Sequence, residues 1–222
     1  MRHIDRLPKP QILAEKQDAW QEKFNEKRAE NPKARPDSNK YGHPQIRERL
    51  NSCSYGKCFY CETSIENDMQ EIDHFKEVAL APELAYTWEN LYLSCHKCND
   101  KIAHDAIPIE KVLDPCKDSD EEIQENITFE DECICALPGS EKGLNTIKKF
   151  HLDSDNLDLK RCRWLKLLLK EIDKVKDNRN RESRQVFTEK EKEKLLMFTM
   201  CNQPYSLMCE IYLRKYLPEI FL

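Results

Sequence analysis

Two Cys-x-x-Cys pairs, Cys58/Cys61 and Cys95/Cys98, constrain the fold of this chain more than any other sequence feature. Two thiolates separated by two residues on a tight turn can bind one ion from the same side, and a second such pair completes the tetrahedral sulfur site that Zn²⁺ prefers. The pairs bracket an Asp-His dipeptide at residues 73–74. We therefore expect a structural zinc ion on the four cysteines, which ties the segment around the dipeptide to the turn of the second pair.

The remaining cysteines leave other interpretations open. Buried thiols are common in proteins of reducing compartments, and single Cys-x-x-Cys pairs also occur as redox motifs. Seven further cysteines show no comparable spacing, and we expect them to be small buried side chains; they are Cys53, Cys116, Cys133, Cys135, Cys162, Cys201 and Cys209. The pair Cys133-x-Cys135 is the exception and remains an alternative metal site.

The charge of the chain is unevenly distributed. Its formal net charge is -5, but residues 1–49 sum to +4, residues 50–140 to -14 and residues 141–222 to +5. An acidic centre repels a phosphate backbone unless a divalent metal neutralises it or a partner supplies a positive surface. The basic flanks are equally consistent with solvated helix faces.

Length and composition place the chain among soluble intracellular proteins. The 222 residues can bury one substantial core with an additional helical segment. No apolar run reaches transmembrane length, and residues 1–5 do not resemble a signal peptide. An odd number of cysteines, 11, without an export signal is typical of a reducing compartment. We expect a cytoplasmic protein that makes no membrane contact.

Hydrophobic periodicity predicts helices on both sides of the bracketed segment. A helix from Ile12 should end before Asn31, residues 33–41 should form a polar link, and residues 44–52 should form a second short helix. Within the bracket we expect short strands and turns, followed by a helix after Cys98.

The second half of the chain is predicted to be mainly helical. Residues 127–129 interrupt an acidic stretch and predict an edge strand. The apolar residues from Leu157 onward predict a long helix, which the polar residues 177–181 should break. Thr188 is a candidate N-cap for the last helices, which should extend to Leu217.

Asp73, His74, Asn90 and Asn99 are candidates for phosphodiester chemistry. A neutral imidazole can take a proton from an attacking water near neutral pH, which is the role that suits His74. Carboxylate and amide oxygens, as in Asp73 and Asn99, are ligands that Mg²⁺ prefers. Asn90 can fix the loop that follows the histidine through hydrogen bonds. On an extended strand adjacent side chains face opposite ways, and a turn or bulge can aim Asp73 and His74 at one phosphate.

The order Cys-x-x-Cys, Asp-His, Asn and Cys-x-x-Cys-Asn resembles that of the HNH endonucleases, the ββα-metal group. The last residue of the motif is Asn99 here, as in the variant in which Asn replaces His. The resemblance implies a zinc-stapled ββα-metal core of the α+β class with flanking N-terminal and C-terminal helices. It implies His74 as general base, Asp73 and Asn99 as ligands of a catalytic Mg²⁺ or Mn²⁺, and Asn90 as support of the loop. The corresponding organisation is a helical arm over residues 1–52, a nuclease core with structural zinc over 53–115, and an acidic linker with a C-terminal helical region over 116–222.

Further motifs are similar to one branch of that family, the HNH component of the Septu anti-phage defence system, including versions associated with retrons. They are Cys58–Glu62, Tyr86–Leu91, Asp114-Pro115, Thr146-Ile147, Asn156-Leu157 and Arg161. The resemblance implies a nuclease subunit that cuts phage DNA to leave a 5′-phosphate in complex with an ABC-type ATPase, and in some systems with a retron reverse transcriptase and its RNA–DNA. The chain departs from the family pattern after the histidine, where Glu77 adds negative charge near the site and the proline is delayed to Pro82.

Several alternatives stay open at the level of sequence. The nuclease can act on RNA instead of DNA, because hydrolysis of either backbone uses the same groups. The module can also be a catalytically silent zinc scaffold that regulates the ATPase. His96, within the second cysteine pair, can point outward or toward the metal, and His104 can approach the site from a following helical turn. Lys97 and Lys101 can contact phosphate or be solvated.

Overall fold

The computed structural model describes residues 1–65 and 69–222, which form helices and small antiparallel hairpins and so confirm the α+β class. The helices are α1 (Gln11–Glu30), α2 (Ser38–Tyr41), α3 (Pro44–Ser54), α4 (His96–Asn99), α5 (Asp120–Gln124), α6 (Glu141–Lys149), α7 (Asp155–Arg181), α8 (Glu189–Leu196) and α9 (Ser206–Tyr216). The strands are β1 (Glu71–His74), β2 (Leu91–Ser94), β3 (Ile127–Glu130) and β4 (Cys133–Ala136). Single 3-10 turns lie at Pro82–Leu84, Trp88–Asn90, Ile109–Lys111, Met197–Thr199 and Pro218–Phe221.

The N-terminal helices cover one side of the central hairpin. Helix α1 ends before Asn31 as predicted and buries Leu13 and Phe24. The predicted polar link contains the short helix α2, whose N-cap Asp37 accepts a hydrogen bond from the backbone of Asn39. An aspartate at this position satisfies one of the free amides of the first turn, so the four-residue helix forms without an apolar face.

The strands β1 and β2 form the antiparallel hairpin between the two cysteine pairs. Glu71 lies opposite Ser94, and the pairing continues to the other end of the two strands. Strand β2 is buried at every position, and its Tyr92 ring stacks on Phe75, at 4.8 Å between centroids, and on Tyr60, at 5.9 Å. The aromatic stack therefore ties the first cysteine pair to the strand that precedes the second pair.

The predicted helix after Cys98 is wrong, because α4 is a single turn that ends at Asn99. The amide of Ile102, which would bond to the carbonyl of Cys98 in a continued helix, donates instead to the carbonyl of Lys149 at 2.9 Å. Further along, Pro108 disfavours helical geometry in the residue before it. The helical element of the ββα core is thus reduced to the turn that carries the second cysteine pair.

The C-terminal region follows the predictions except at one point. Residues 127–129 lie in β3, and Thr188 caps α8 in a reciprocal arrangement with Glu191. The predicted break at residues 177–181 is wrong, because α7 continues to Arg181. The polar residues at this end lie mainly on the solvent side, and without Gly or Pro nothing in the segment ends a helix.

The first residue of the chain and the start of α9 pack against the segment that follows the first cysteine pair. The α-ammonium of Met1 lies 2.8 Å from the Glu62 carboxylate, and both groups are buried. The same carboxylate accepts the N–H and the hydroxyl of Ser206, at the start of α9, at 2.9 and 3.0 Å. One hydrophobic cluster accordingly includes residues from Met1 to Ile220. The division of the chain into residues 1–52, 53–115 and 116–222 stays a prediction.

None of the helices in the described residues has the length and apolarity to cross a lipid bilayer. The expectation that all seven remaining cysteines are buried is wrong for Cys133 and Cys201, which are exposed, whereas Cys53 and Cys209 are buried.

Candidate active site

The four cysteines of the two pairs converge on one point. Their Sγ atoms all lie within 4.8 Å of one another, and within the described parts of the chain no other group of three or more His, Cys, Asp or Glu side chains does the same. The Sγ atoms of Cys61 and Cys95, one from each pair, are 3.8 Å apart. In a tetrahedron with Zn–S bonds of about 2.3 Å, two sulfurs lie about 3.8 Å apart. The cluster therefore fits a zinc ion.

Asp73 lies in β1 and is buried, with its carboxylate fully engaged. The hydroxyl of Tyr60 donates to Oδ2 at 2.6 Å, and the ammonium of Lys101 lies 2.8 and 2.9 Å from the two oxygens. Burial and the neighbouring carboxylate raise the pKa of Tyr60, so its hydroxyl stays protonated and donates. Lys101 also donates to the carbonyls of His74 and Phe75, at 2.6 and 3.1 Å.

His74 follows Asp73 on the regular strand, and the alternation of the strand directs the two side chains to opposite faces. Its Nε2 lies 2.8 Å from the carbonyl oxygen of Ala85 and therefore carries the proton, which leaves the lone pair of a neutral ring on Nδ1. The ring packs edge-to-face against Tyr41 at 4.8 Å between centroids. Burial lowers the pKa of His74 and outweighs the hydrogen bond to Ala85 and the charge of Asp73, which raise it. The ring is thus neutral near pH 7 and able to accept a proton at Nδ1.

Asn90 is buried and holds the segment that follows the histidine. Its Oδ1 accepts the backbone N–H of Lys76 at 2.7 Å, and its Nδ2 donates to the carbonyls of Lys76 and Leu84 at 3.0 and 3.3 Å. The backbone N–H of Phe75 also donates to the carbonyl of Asn90 at 2.9 Å. These bonds define where the strand β1 ends.

Asn99 is the last residue of α4 and faces Glu71, not Asp73. Its Nδ2 donates to Oε2 of Glu71 at 2.6 Å, and the other carboxylate oxygen lies 2.9 Å from Nδ1 of His96. The side chain of His96 is 88 % exposed, so it points outward and not into the cysteine cluster. Asn99 and His96 therefore both contact the carboxylate of Glu71, whereas Asp73 pairs with Lys101.

His104 lies outside a helix, so it does not approach from a following helical turn. Its backbone N–H donates to Glu77, and its ring lies 4.0 Å from Glu110. Glu77 in turn lies 3.0 Å from the buried ammonium of Lys149. The negative charge that Glu77 was expected to add near the site is therefore balanced by a direct ion pair.

The sequence pattern did not assign a role in the site to Tyr60, Glu71 or Tyr41, and it left Lys101 as a phosphate contact or a solvated side chain. Lys101 is instead buried in an ion pair. One sequence signal was available for Glu71, since residues two apart on a strand share a face and Glu71 precedes Asp73 by two. No local signal places Tyr41 against His74, because that contact joins α2 to the hairpin.

Comparisons with known proteins agree with this geometry. Residues 58–105, which contain both cysteine pairs and the four candidate residues, match the HNH endonuclease family. The chain is 30 % identical to Septu protein PtuB of Bacillus thuringiensis over 116 residues, covering 51 % of the chain and 43 % of that protein. It is 29 % identical to Septu protein PtuB of Bacillus mycoides over 158 residues, covering 57 % and 52 %. The chain spans about half the length of the curated relatives it matches. The four candidate residues thus lie in a segment that is similar to the HNH endonucleases, within a chain that is similar to Septu protein PtuB.

Proposed function

We propose that this chain is a metal-dependent endonuclease that hydrolyses phosphodiester bonds of phage DNA as the effector subunit of a defence complex. The observation that carries the proposal is the state of His74 within a segment that matches the HNH family. Its Nε2 is held by Ala85, and burial keeps the ring neutral. A neutral histidine with a free lone pair on Nδ1 can act as a general base near neutral pH.

His74 would act at one atom of the reaction. Nδ1 takes the proton of the attacking water as the water oxygen bonds to phosphorus. The bond from phosphorus to the 3′-oxygen breaks, and the products are a 5′-phosphate and a 3′-hydroxyl that is protonated by solvent. Asn90 and Lys101 hold the backbone at the histidine and directly after it, so Nδ1 keeps one position.

The donor atoms of Asp73 and Asn99 are of the type that Mg²⁺ or Mn²⁺ requires. Asp73 already binds a cation, the ammonium of Lys101, and a divalent ion at this carboxylate would take the place of that ammonium. When bound, the ion would stabilise negative charge on the phosphate and the leaving oxygen. The four cysteines would hold structural zinc, which fixes the turn of Asn99 against β1.

The defence complex is proposed from the similarity to the two proteins named Septu protein PtuB. An ABC-type ATPase is the proposed partner, with a retron reverse transcriptase and its RNA–DNA as a further component. The net charge of -14 over residues 50–140 supports a subunit that depends on a partner to hold nucleic acid.

A second candidate, a catalytically silent zinc module that regulates the ATPase, is favoured by one observation. Lys101 neutralises Asp73 and fills its coordination sites in the structure. In that case the histidine would have no function, and only the zinc cluster would matter.

Cleavage of supercoiled plasmid by the zinc-loaded protein, with Mg²⁺ or Mn²⁺, tests the proposal. We expect nicking by the wild-type protein that His74→Ala reduces at least about 100-fold, while His104→Ala, the matched control, retains it. A labelled RNA assayed in parallel identifies the alternative substrate. Folded wild-type protein that cuts neither substrate, with and without the partner ATPase, would support the silent module.

A further inference from the structure

Glu71 is the first residue of β1 and shares a strand face with Asp73. Its cross-strand neighbour is Ser94, and the next residue, Cys95, caps α4. The strand pairing therefore places the Glu71 carboxylate at the start of the turn that carries Asn99. No role in the proposed reaction has so far been assigned to it.

The carboxylate of Glu71 holds two side chains of that turn. Oε2 accepts Nδ2 of Asn99 at 2.6 Å, and Oε1 accepts Nδ1 of His96 at 2.9 Å. His96 and Asn99 are three residues apart, so they lie on the same face of the helical turn. Cys95 and Cys98 bring the same turn into the cluster of four cysteines. The turn thus contacts both that cluster and a single carboxylate.

The contact decides which end of the Asn99 amide is available. An ionised carboxylate only accepts hydrogen bonds, so a contact of 2.6 Å must be made by the NH₂ group of the amide. The Oδ1 atom is then the end directed away from Glu71. The two ends of an amide have nearly the same size, so without Glu71 the side chain can rotate and present an NH₂ group, which cannot bind a cation.

We infer that Glu71 is a positioning residue of the site, which acts through Asn99 by keeping its amide oxygen available to the divalent ion. This inference rests on the proposed function, because it needs Asn99 as a metal ligand. Partners of this kind, which touch a ligand but not the metal, typically contribute 10- to 100-fold to metal affinity. Glu71 suits the role because its carboxylate is partly exposed, 35 % for the side chain, and makes no described ion pair with Lys or Arg.

Mn²⁺ binding to the zinc-loaded protein, measured by electron paramagnetic resonance without nucleic acid, tests the inference. We expect Glu71→Ala to weaken Mn²⁺ binding by about 10- to 100-fold and Glu71→Gln to stay within about threefold of wild type, since glutamine still accepts from Nδ2 of Asn99. Glu130→Ala, which removes an exposed carboxylate from β3, is the matched control and should bind Mn²⁺ as wild type does. Zinc content and circular dichroism establish that each variant is folded.

A double-mutant cycle separates positioning from direct ligation. If Glu71 acts through Asn99, then Glu71→Ala should cause no further loss of Mn²⁺ affinity in an Asn99→Ala background. A further loss of tenfold or more there, or equal losses in Glu71→Ala and Glu71→Gln, would overturn the inference by making Glu71 itself a ligand. Unchanged Mn²⁺ affinity in Glu71→Ala would also overturn it, whatever the effect on thermal stability. If the wild-type protein binds no Mn²⁺, the proposed metal site fails and the inference fails with it.

Discussion

The ammonium of Lys101 lies 2.8 and 2.9 Å from the two carboxylate oxygens of Asp73, and less than a tenth of either side chain is exposed. The same ammonium donates to the carbonyls of His74 and Phe75. A single cation thus binds the candidate metal ligand and the backbone of the candidate base. The ion pair therefore links β1 to the segment that follows α4.

Replacing Lys101 with methionine should destabilise the metal-free protein and increase its response to Mn²⁺. Removing one partner of a buried ion pair typically costs about 3–5 kcal/mol, because the other charge is left without compensation. A divalent ion would restore that compensation without competing with an ammonium, so Mn²⁺ should raise the Tm of Lys101→Met more than that of wild type. Calorimetry with and without Mn²⁺ measures both effects, and Lys97→Met, at an exposed position in α4, is the control. Equal Tm gains in Lys101→Met and wild type would show that the ammonium and the metal do not share a site.

Loss of one zinc cysteine should unfold the hairpin region, whereas loss of an exposed cysteine should have little effect. Metal binding and folding are coupled in structural zinc sites, because the ligands are brought together only in the folded chain. Cys95→Ser should therefore lose bound zinc and its cooperative thermal transition, and a chelator should do the same to wild type. Cys133→Ser, at an exposed site in β4, should keep both. Zinc analysis and thermal denaturation followed by circular dichroism are the measurements. A folded, zinc-free Cys95→Ser protein would exclude a structural role for the metal.

The pH dependence of cleavage should report His74. Because burial lowers its pKa from 6.5, the neutral ring that accepts a proton should predominate above that pH. Cleavage should rise with pH, reach half its plateau below pH 6.5, and fall about tenfold per unit well below the midpoint. Tyr41→Ala exposes the ring to water and should move the midpoint upward, toward the value of a solvated histidine. A midpoint above 6.5 in wild type, or a midpoint that Tyr41→Ala leaves unchanged, would argue against His74 as the base.

Glu62 should make the fold sensitive to acid. Burial raises the pKa of Glu62, but the α-ammonium of Met1, Lys57 and Arg2 outweigh it and hold the pKa at about 2, compared with 4.5 for a solvated glutamate. A carboxyl group with a depressed pKa stabilises the fold above the unfolded pKa, and this contribution is lost as the pH falls from 4.5 toward 2. The linked free energy is roughly 3 kcal/mol.

Urea unfolding of wild type and Glu62→Gln at several pH values measures this contribution. Glu62→Gln should be less stable at pH 7, and the difference from wild type should shrink as the pH falls below 4.5. Glu125→Gln, at an exposed position, is the control for removal of a carboxylate. A difference between Glu62→Gln and wild type that is constant with pH would rule out the ionised pair.

Spacing along the chain was sufficient to predict the cluster of four cysteines, because two equal Cys-x-x-Cys pairs have few other uses. It also predicted α1, α3, the strand at residues 127–129 and the cap at Thr188, each of which has a local signal. The single turn of α4 was not predictable in this way. The carbonyl of Lys149, about 50 residues away in sequence, takes the Ile102 amide that a longer helix needs. Long-range contacts of this kind leave no local pattern.

In the candidate site, too, local sequence order predicted some features and long-range contacts set the others. The sequence order identified His74, Asp73, Asn90 and Asn99, whose roles stay predictions. It did not reveal that Asp73 pairs with Lys101 or that Asn99 pairs with Glu71. Both pairings depend on the relative placement of β1 and α4, to which the cysteine cluster and the aromatic stack contribute. Spacing along the chain can identify the candidate site residues, but the partner that each of them binds depends on the tertiary fold.

The contacts of Glu62 bear on how this domain can be dissected. Met1 and Ser206 both meet the carboxylate directly after the first cysteine pair. Met1 and a residue of α9, both distant in sequence, therefore complete the environment of a segment that looks like an independent nuclease module in the sequence. An excised fragment of residues 58–105 would expose that carboxylate and the aromatic stack to water, so compactness of a motif in sequence does not here imply autonomy in folding.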